Sequence, residues 1–264
     1  MSRYALRTVA IGYLLALIAI PVGMVFYRTF EKGIGAAWEA VTTPPAQHAF
    51  YLTVVIALIA VPANAIFGVL TALLLARGRF PGKRLLNALV DLPFAVSPVV
   101  VGLALLLVYG RRDGWVGGWF AEHGVQIIFS TPGMILATMF VSLPFVVREV
   151  IPVLREIGTE QEQAAATLGA SPLQTFFRVT LPAIRWGVAY GVVLTTARAL
   201  GEFGAVSVVS GKLSGQTETA TLFVENRFQR FDETGAYAAS VVLALLALVT
   251  LLVMNVIKPK EAQG

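Results

Sequence analysis

The sequence predicts an all-α membrane protein with six transmembrane helices, and three observations carry that prediction. Of its 264 residues, 57% are hydrophobic and only 13% are charged, against about 25% charged in an ordinary soluble domain. The apolar residues gather into six stretches, each of about twenty residues or more, the length a helix needs to cross a bilayer. The basic residues are shared unevenly between alternate loops, as the orientation rule for membrane proteins requires.

The first span covers residues 9–27, after Arg3 and Arg7. It begins like a secretory signal, but it lacks an Ala-x-Ala-like cleavage site and is long enough to cross. It is therefore read as an uncleaved helix. Residues 28–49 are mixed; Trp38 suits an interfacial helix, and Pro44-Pro45 predicts a stop after it. Span two runs over 50–76, where Pro62 and Gly68 need neighbouring helices to cover the loosened backbone. Arg77, Arg79, Lys83 and Arg84 follow in a short basic loop. Gly78 to Lys83 has the look of a phosphate-binding loop, but it is one residue short between its glycines. Arg84 also stands where Ser or Thr should hold magnesium, so it is not an ATP site.

Span three, 86–109, contains Asp91, Pro93 and Pro98 and is expected to bend or break. The loop 110–127 carries Gly114-Trp115 and Gly118-Trp119, which suit the headgroup zone. Span four covers 128–147 with Pro132 and Pro144, and ends at Arg148-Glu149. A polar segment at about 150–182 follows, then span five at 183–210 with Arg198, Gly201 and Glu202. A polar loop at 211–235 leads to span six at 236–257, and Lys258 and Lys260 follow it.

Six spans put both termini on one side. That side, with loop 77–85 and the polar segment, holds twelve Lys and Arg; the other side holds seven. The bias places the termini and the polar segment in the cytoplasm. The net charge of +5 is explained by this orientation and needs no nucleic-acid partner. There are no cysteines, and His48 and His123 stand alone in different predicted loops, so no metal site is expected. No nucleophile–base pair, redox motif or pair of acid–base carboxylates appears, so no catalytic residue is expected.

The polar segment is the centre of the functional reading. Gln, Glu, Ala and Leu predict a short helix over 159–168. Gly169 suits its left-handed end, Ser171 the N-cap and Pro172 the first position of a second short helix. The pattern Gln163-Ala164-Ala165, then Leu168-Gly169-Ala170, Ser171-Pro172 and Leu181-Pro182 resembles the EAA loop of type I ABC importer permeases. Its first position departs: it holds Gln163, with Glu162 one place early. The resemblance implies that residues 155–182 form a cytoplasmic coupling loop that docks a separate ATPase. ATP and magnesium would be bound by that partner, with no cofactor in this chain.

Within span five, Arg198 and Glu202 are four apart, hence on one helix face, and can pair. Neither should face lipid, where a charge costs about 2.5–3.5 kcal/mol on insertion scales. Two readings stand side by side. In one they flank the translocation pathway, with Arg198 favouring an anion; in the other they are a structural ion pair. Asp91 is a third pathway candidate, or simply reaches the interface. Residues 197–205, Ala-Arg-Ala-Leu-Gly-Glu-Phe-Gly-Ala, are similar to permeases for tetrahedral oxyanions, as is 92–102. Residues 243–251 resemble the last span of W-type sulfate permeases. The likeness covers most of 50–257, within a chain read as one permease domain over 1–264.

This resemblance implies a bacterial inner-membrane, multi-pass subunit of a sulfate or thiosulfate importer. Its partners would be two ATPase subunits, a second homologous permease, with a heterodimer favoured, and an extracytoplasmic oxyanion-binding protein. Pro93, Pro98 and Pro144 give the spans places to flex during alternating access. The nearest rival is a molybdate or tungstate permease, which would usually pair with itself. A stand-alone secondary anion transporter is the rival of another class; the absence of an inverted repeat and the size of the polar loop count against it.

Overall fold

The computed structural model describes residues 3–257, and every regular element among them is helical. Lys258 and Lys260, which enter the charge balance, lie outside the described residues. In chain order the helices are α1 (Arg3–Leu14), α2 (Ile20–Phe30), α3 (Ile34–Thr42), α4 (Pro44–Arg77), α5 (Lys83–Ala95), α6 (Pro98–Tyr109) and α7 (Gly117–Glu122). They continue as α8 (Thr131–Glu156), α9 (Glu160–Thr167), α10 (Pro172–Thr175), α11 (Leu181–Leu200), α12 (Gly204–Val209), α13 (Ala220–Gln229) and α14 (Glu233–Ile257). Short π-helical turns join α1 to α2 and α10 to α11.

Four helical stretches are long and apolar enough to cross a membrane: Leu6–Phe30, Pro44–Arg77, Thr131–Glu156 and Glu233–Thr250. A fifth results if α5 and α6 count as one span, which bends by 116° between them. The expected break in span three is therefore present. Pro98 causes it, because the residue before a proline is driven out of the helical region, and Ser97 sits at ψ 135°. Pro93 lies within α5 one turn before the break, whereas Pro144 is buried inside an uninterrupted α8. The expected fifth span divides into α11, of 20 residues, and the short α12.

Two local expectations are corrected. Pro44-Pro45 opens a helix instead of stopping one: α4 begins at Pro44, six residues before the expected start. Proline needs no acceptor in a first turn, where the N–H would be an orphan anyway. His48 accordingly sits in the helix, not in a loop, with its Nε2 3.0 Å from the Gln216 carbonyl.

The described residues form two compact units, the first made of the chain up to Leu52 with Leu213–Leu246. Its core gathers Ala46, Ala49, Phe223 and Ala239, with Phe50 and Val224 against it. The fully buried Glu218 accepts a hydrogen bond from Asn226 at 2.5 Å there. The second unit comprises Thr53–Lys212 with the segment from Ala247 on, and it contains all the candidate site residues. Its core is Val69, Ala72, Leu75, Val90, Val146, Val147, Val150, Ile151, Leu154 and Ile184.

Close helix approach, more than apolar burial, holds the second unit together, since lipid is as apolar as leucine. A Cβ built at Gly191 would lie 2.7 Å from the Val146 Cα, and one at Gly68 2.7 Å from the Val146 Cβ. Gly187 faces the Glu149 carbonyl in the same way at 3.0 Å, so α8 and α11 meet nearly backbone to backbone. Gly191→Val is expected to remove most of the folded protein from the membrane, because the atom it meets is backbone and overpacking typically costs about 1–3 kcal/mol or more. Gly23→Val, with nothing within 4 Å, is the matched control. Size-exclusion profiles of the detergent-extracted variants test this; equal monodisperse yields would refute it.

Candidate functional site

The polar segment folds as the sequence predicts up to its second half. Glu160 and Glu162 occupy the first turn of α9, where negative charge complements the helix dipole. Gly169 ends the helix at φ +83°. Its N–H donates to the Ala166 carbonyl and that of Ala170 to the Ala165 carbonyl, both at 3.0 Å, a Schellman closure. Ser171 then caps α10 in a reciprocal box: its Oγ accepts from the Gln174 N–H at 3.3 Å. The Gln174 side-chain oxygen accepts from the Ser171 N–H at 2.9 Å.

The second half departs from expectation. The second short helix does not stand apart; from Pro172 the chain stays helical through Leu200. The accommodation is the π turn over Phe176–Thr180, closed by the Leu181 N–H on the Phe176 carbonyl. A proline within a helix lacks a donor and crowds the carbonyl four residues back. Widening the spacing just ahead of Pro182 relieves that conflict. The elbow is thus a cap on α9 followed by one continuous helical run from α10 into α11.

The elbow is fastened from inside. Arg77, the last residue of α4, places its Nε 3.2 Å from the Glu162 carboxylate and also donates to the Gly158 carbonyl. Thr180 donates to the same carboxylate at 3.0 Å. Both Arg77 and Glu162 are 22% exposed. Glu162 therefore joins the end of α4, the helix α9 and the approach to α11. The residue one place later behaves oppositely: Gln163 is exposed, and its side-chain amide donates to the Thr159 hydroxyl at 3.1 Å within its own turn. Sequence reasoning singles out Gln163 and misses the fastening. The available signal is helical spacing, since Glu162, Ala166 and Ala170 recur every four residues and line one groove with Arg77 and Thr180.

On its outer side the elbow shows large apolar side chains. Leu168 is 88% exposed, Leu173 71% and Phe177 60%. Gly169, Ser171, Pro172 and Ala164 are exposed beside them, with Ala165 and Ala170 half-buried. Leu173 and Phe177 were not among the expected residues.

Arg198 and Glu202 do pair, at 2.5 Å, with Glu202 2% exposed and Arg198 29% exposed. Glu202 also makes a second bond, in which its other carboxylate oxygen accepts from the Ala205 N–H at 2.9 Å, in the first turn of α12. Gly204 lets α12 reach the start of α6, where an added Cβ would meet Pro98 at 2.8 Å. Asp91 lies elsewhere, bound by Arg148 of α8 at 2.5 Å. Arg148 also donates to the side-chain oxygen of Asn87 at 3.1 Å. The structure therefore does not bring Asp91 together with Arg198 and Glu202; it gives α5 and α8 a clamp of their own.

A helical chain with four long apolar helices, a sharp bend between α5 and α6, a buried ion pair and a fastened polar elbow fits a membrane transport component. The chain belongs to the family described as binding-protein-dependent transport system inner membrane component, which matches residues 64–263. It is 52% identical over 258 residues to the sulfate transport system permease protein CysW of Synechocystis, covering 98% of this chain and 93% of that one. It is 43% identical over 246 residues to the sulfate transport system permease protein CysT of Synechococcus elongatus, covering 93% and 88%. In fold it is similar to a chain of a bacterial alginate ABC transporter solved with an alginate-bound periplasmic protein. The TM-score is 0.79 at 18% identity, covering 98% of this chain and 94% of that one.

Proposed function

We propose that this chain is the W-type permease subunit of an ATP-driven sulfate or thiosulfate importer in a bacterial inner membrane. The observation that carries the reading is the elbow, tied inward by Arg77 and Glu162 and presenting Leu168, Leu173 and Phe177 outward. An exposed apolar patch of this kind, rimmed by polar residues, marks a protein partner. The partner in this reading is an ATPase subunit, two of which serve two permeases. Likeness to both W-type and T-type sulfate permeases supports a heterodimer in which the second permease is homologous. Likeness to a transporter solved with a periplasmic protein supports delivery of the anion by an external binding protein.

The mechanism is alternating access. Six crossings with both termini in the cytoplasm put the elbow on the ATP side. There, closure of the ATPases pushes α10, and the unbroken path to Leu200 turns α11 against α8. The hinge between α5 and α6 at Val96-Ser97 absorbs part of the motion, with Pro98 fixing its position. Arg198, partly exposed beside α12, supplies positive potential along the anion route, and Glu202 holds it there. Asp91 enters the reading as the anchor of Arg148, with its charge compensated.

Reconstitution tests the whole reading. The chain, its partner permease, the ATPase and the binding protein in vesicles should take up labelled sulfate only with ATP. Uptake without ATP, or uptake of molybdate but not sulfate, would refute it. Gln163→Glu separates shape from charge at the dock. Because Gln163 is exposed and its side chain bonds within its own turn, stability should change by about 0.5 kcal/mol or less. ATPase copurification should stay the same or tighten at low salt. Weakened copurification at low salt would contradict docking on this face.

A further inference from the structure

A cavity of about 630 Å³ opens where three helices of the second unit end, bounded by Leu75 of α4, Lys83, Arg84 and Asn87 of α5, Arg155 of α8, and Phe80 and Gly82 between them. Three of its seven lining residues are cations and none is a carboxylate. Lys83 spends one of its hydrogens on the Gly78 carbonyl at 3.0 Å, and Arg84 and Arg155 are exposed. The half-buried Phe80 gives the cavity an apolar wall beside this charge, with the buried Leu75 beneath it. Lys83 and Arg84 also stand in the first turn of α5, the end of a helix where positive charge is unfavourable and the turn holds no acidic residue. Like charges gathered in one concavity repel unless an anion joins them.

We propose that this cavity holds the phosphodiester headgroup of an anionic phospholipid, with Lys83, Arg84 and Arg155 on the phosphate and the glycerol and upper acyl chain along Phe80. A basic pocket between membrane helices at their cytoplasmic ends suits such a headgroup. The apolar wall beside this charge fits an amphiphile better than a small hydrated anion. The occupant also touches the transport machinery. Asn87 lines the cavity and accepts from Arg148, which clamps Asp91, so a bound lipid braces α5 against α8 beside the broken span. The assignment rests on reading α4, α5 and α8 as membrane helices, and not on which anion is carried.

The test is native mass spectrometry of the complete complex, delipidated and then offered cardiolipin, phosphatidylglycerol or phosphatidylcholine. The wild-type complex should retain the two anionic lipids in preference to the zwitterionic one. Arg84→Gln/Arg155→Gln should weaken that retention by about tenfold or more, since each cation near an anionic headgroup contributes appreciably. Arg84→Lys/Arg155→Lys should restore most of it. Both positions are exposed, so the variants are expected to fold, and sulfate uptake by the delipidated complex distinguishes this site from the transport reading itself. Equal retention by wild type and the glutamine variant would overturn the assignment. Displacement of lipid by millimolar sulfate or phosphate would overturn it in favour of a soluble oxyanion.

Discussion

A chain carrying Glu202→Ala is expected to accumulate in the membrane at a small fraction of the normal folded amount. The carboxylate is 2% exposed and satisfies two donors, the Arg198 guanidinium at 2.5 Å and the Ala205 N–H at 2.9 Å. Truncation leaves a cation without its counter-charge and the first turn of α12 without an acceptor. Removing one partner of a buried pair costs about 3–5 kcal/mol. Arg198 keeps some contact with water at 29% exposure, which places this case toward the lower end. That still matches a large share of the stability of an ordinary domain.

The same pair distinguishes scaffold from pathway, provided the two bonds of Glu202 are kept apart. Arg198→Ala/Glu202→Gln removes both charges but leaves a side-chain oxygen for the Ala205 N–H. It should therefore fold better than Glu202→Ala. If Arg198 supplies potential for the anion, this double variant is expected to assemble, to keep ATPase stimulation by the loaded binding protein and to lose uptake. Uptake per folded complex is the measurement, and near-normal uptake would make the pair scaffolding alone.

What is legible in the sequence is whatever local stereochemistry decides. Pro98 forces Ser97 out of the helix, so the broken third span can be read directly. Gly169 and the Ser171-Pro172 pair fix the shape of the elbow, because a positive φ and a capping oxygen are single-residue requirements. Pro44 misleads for the opposite reason: proline is equally at home ending one helix and beginning the next, and only tertiary packing chooses. The continuity from α10 into α11 is hidden because a π turn has no composition of its own. Least legible are the long-range ion pairs. Arg77 and Glu162 are 85 residues apart, and Arg148 and Asp91 57 apart. Within its own segment each of these residues reads only as loop charge, motif neighbour or interfacial carboxylate.

The Arg77–Glu162 contact is where that gap matters most for function. Glu162→Ala is expected to leave the chain folded and in the membrane while lowering ATP-dependent uptake severely. The carboxylate joins α4, α9 and the start of α11, but at 22% exposure its ion pair is partly wet and of modest worth to folding. In the proposed mechanism its worth to coupling is greater, because the carboxylate also holds Thr180 on the path from α10 to α11, and a push on α10 turns α11 only if that path is braced against α4. Without the tie, the elbow yields and the stroke is lost. ATPase activity should then persist, losing its dependence on the loaded binding protein. Arg77→Ala should behave likewise, since it removes the same tie and also the bond to the Gly158 carbonyl. The charge-exchanged variant Arg77→Glu/Glu162→Arg should recover part of the coupling, and only if the two side chains act on each other. Measuring sulfate carried per ATP hydrolysed decides between this and a purely structural role. A ratio equal to wild type in Glu162→Ala would mean that the elbow transmits force by its backbone alone.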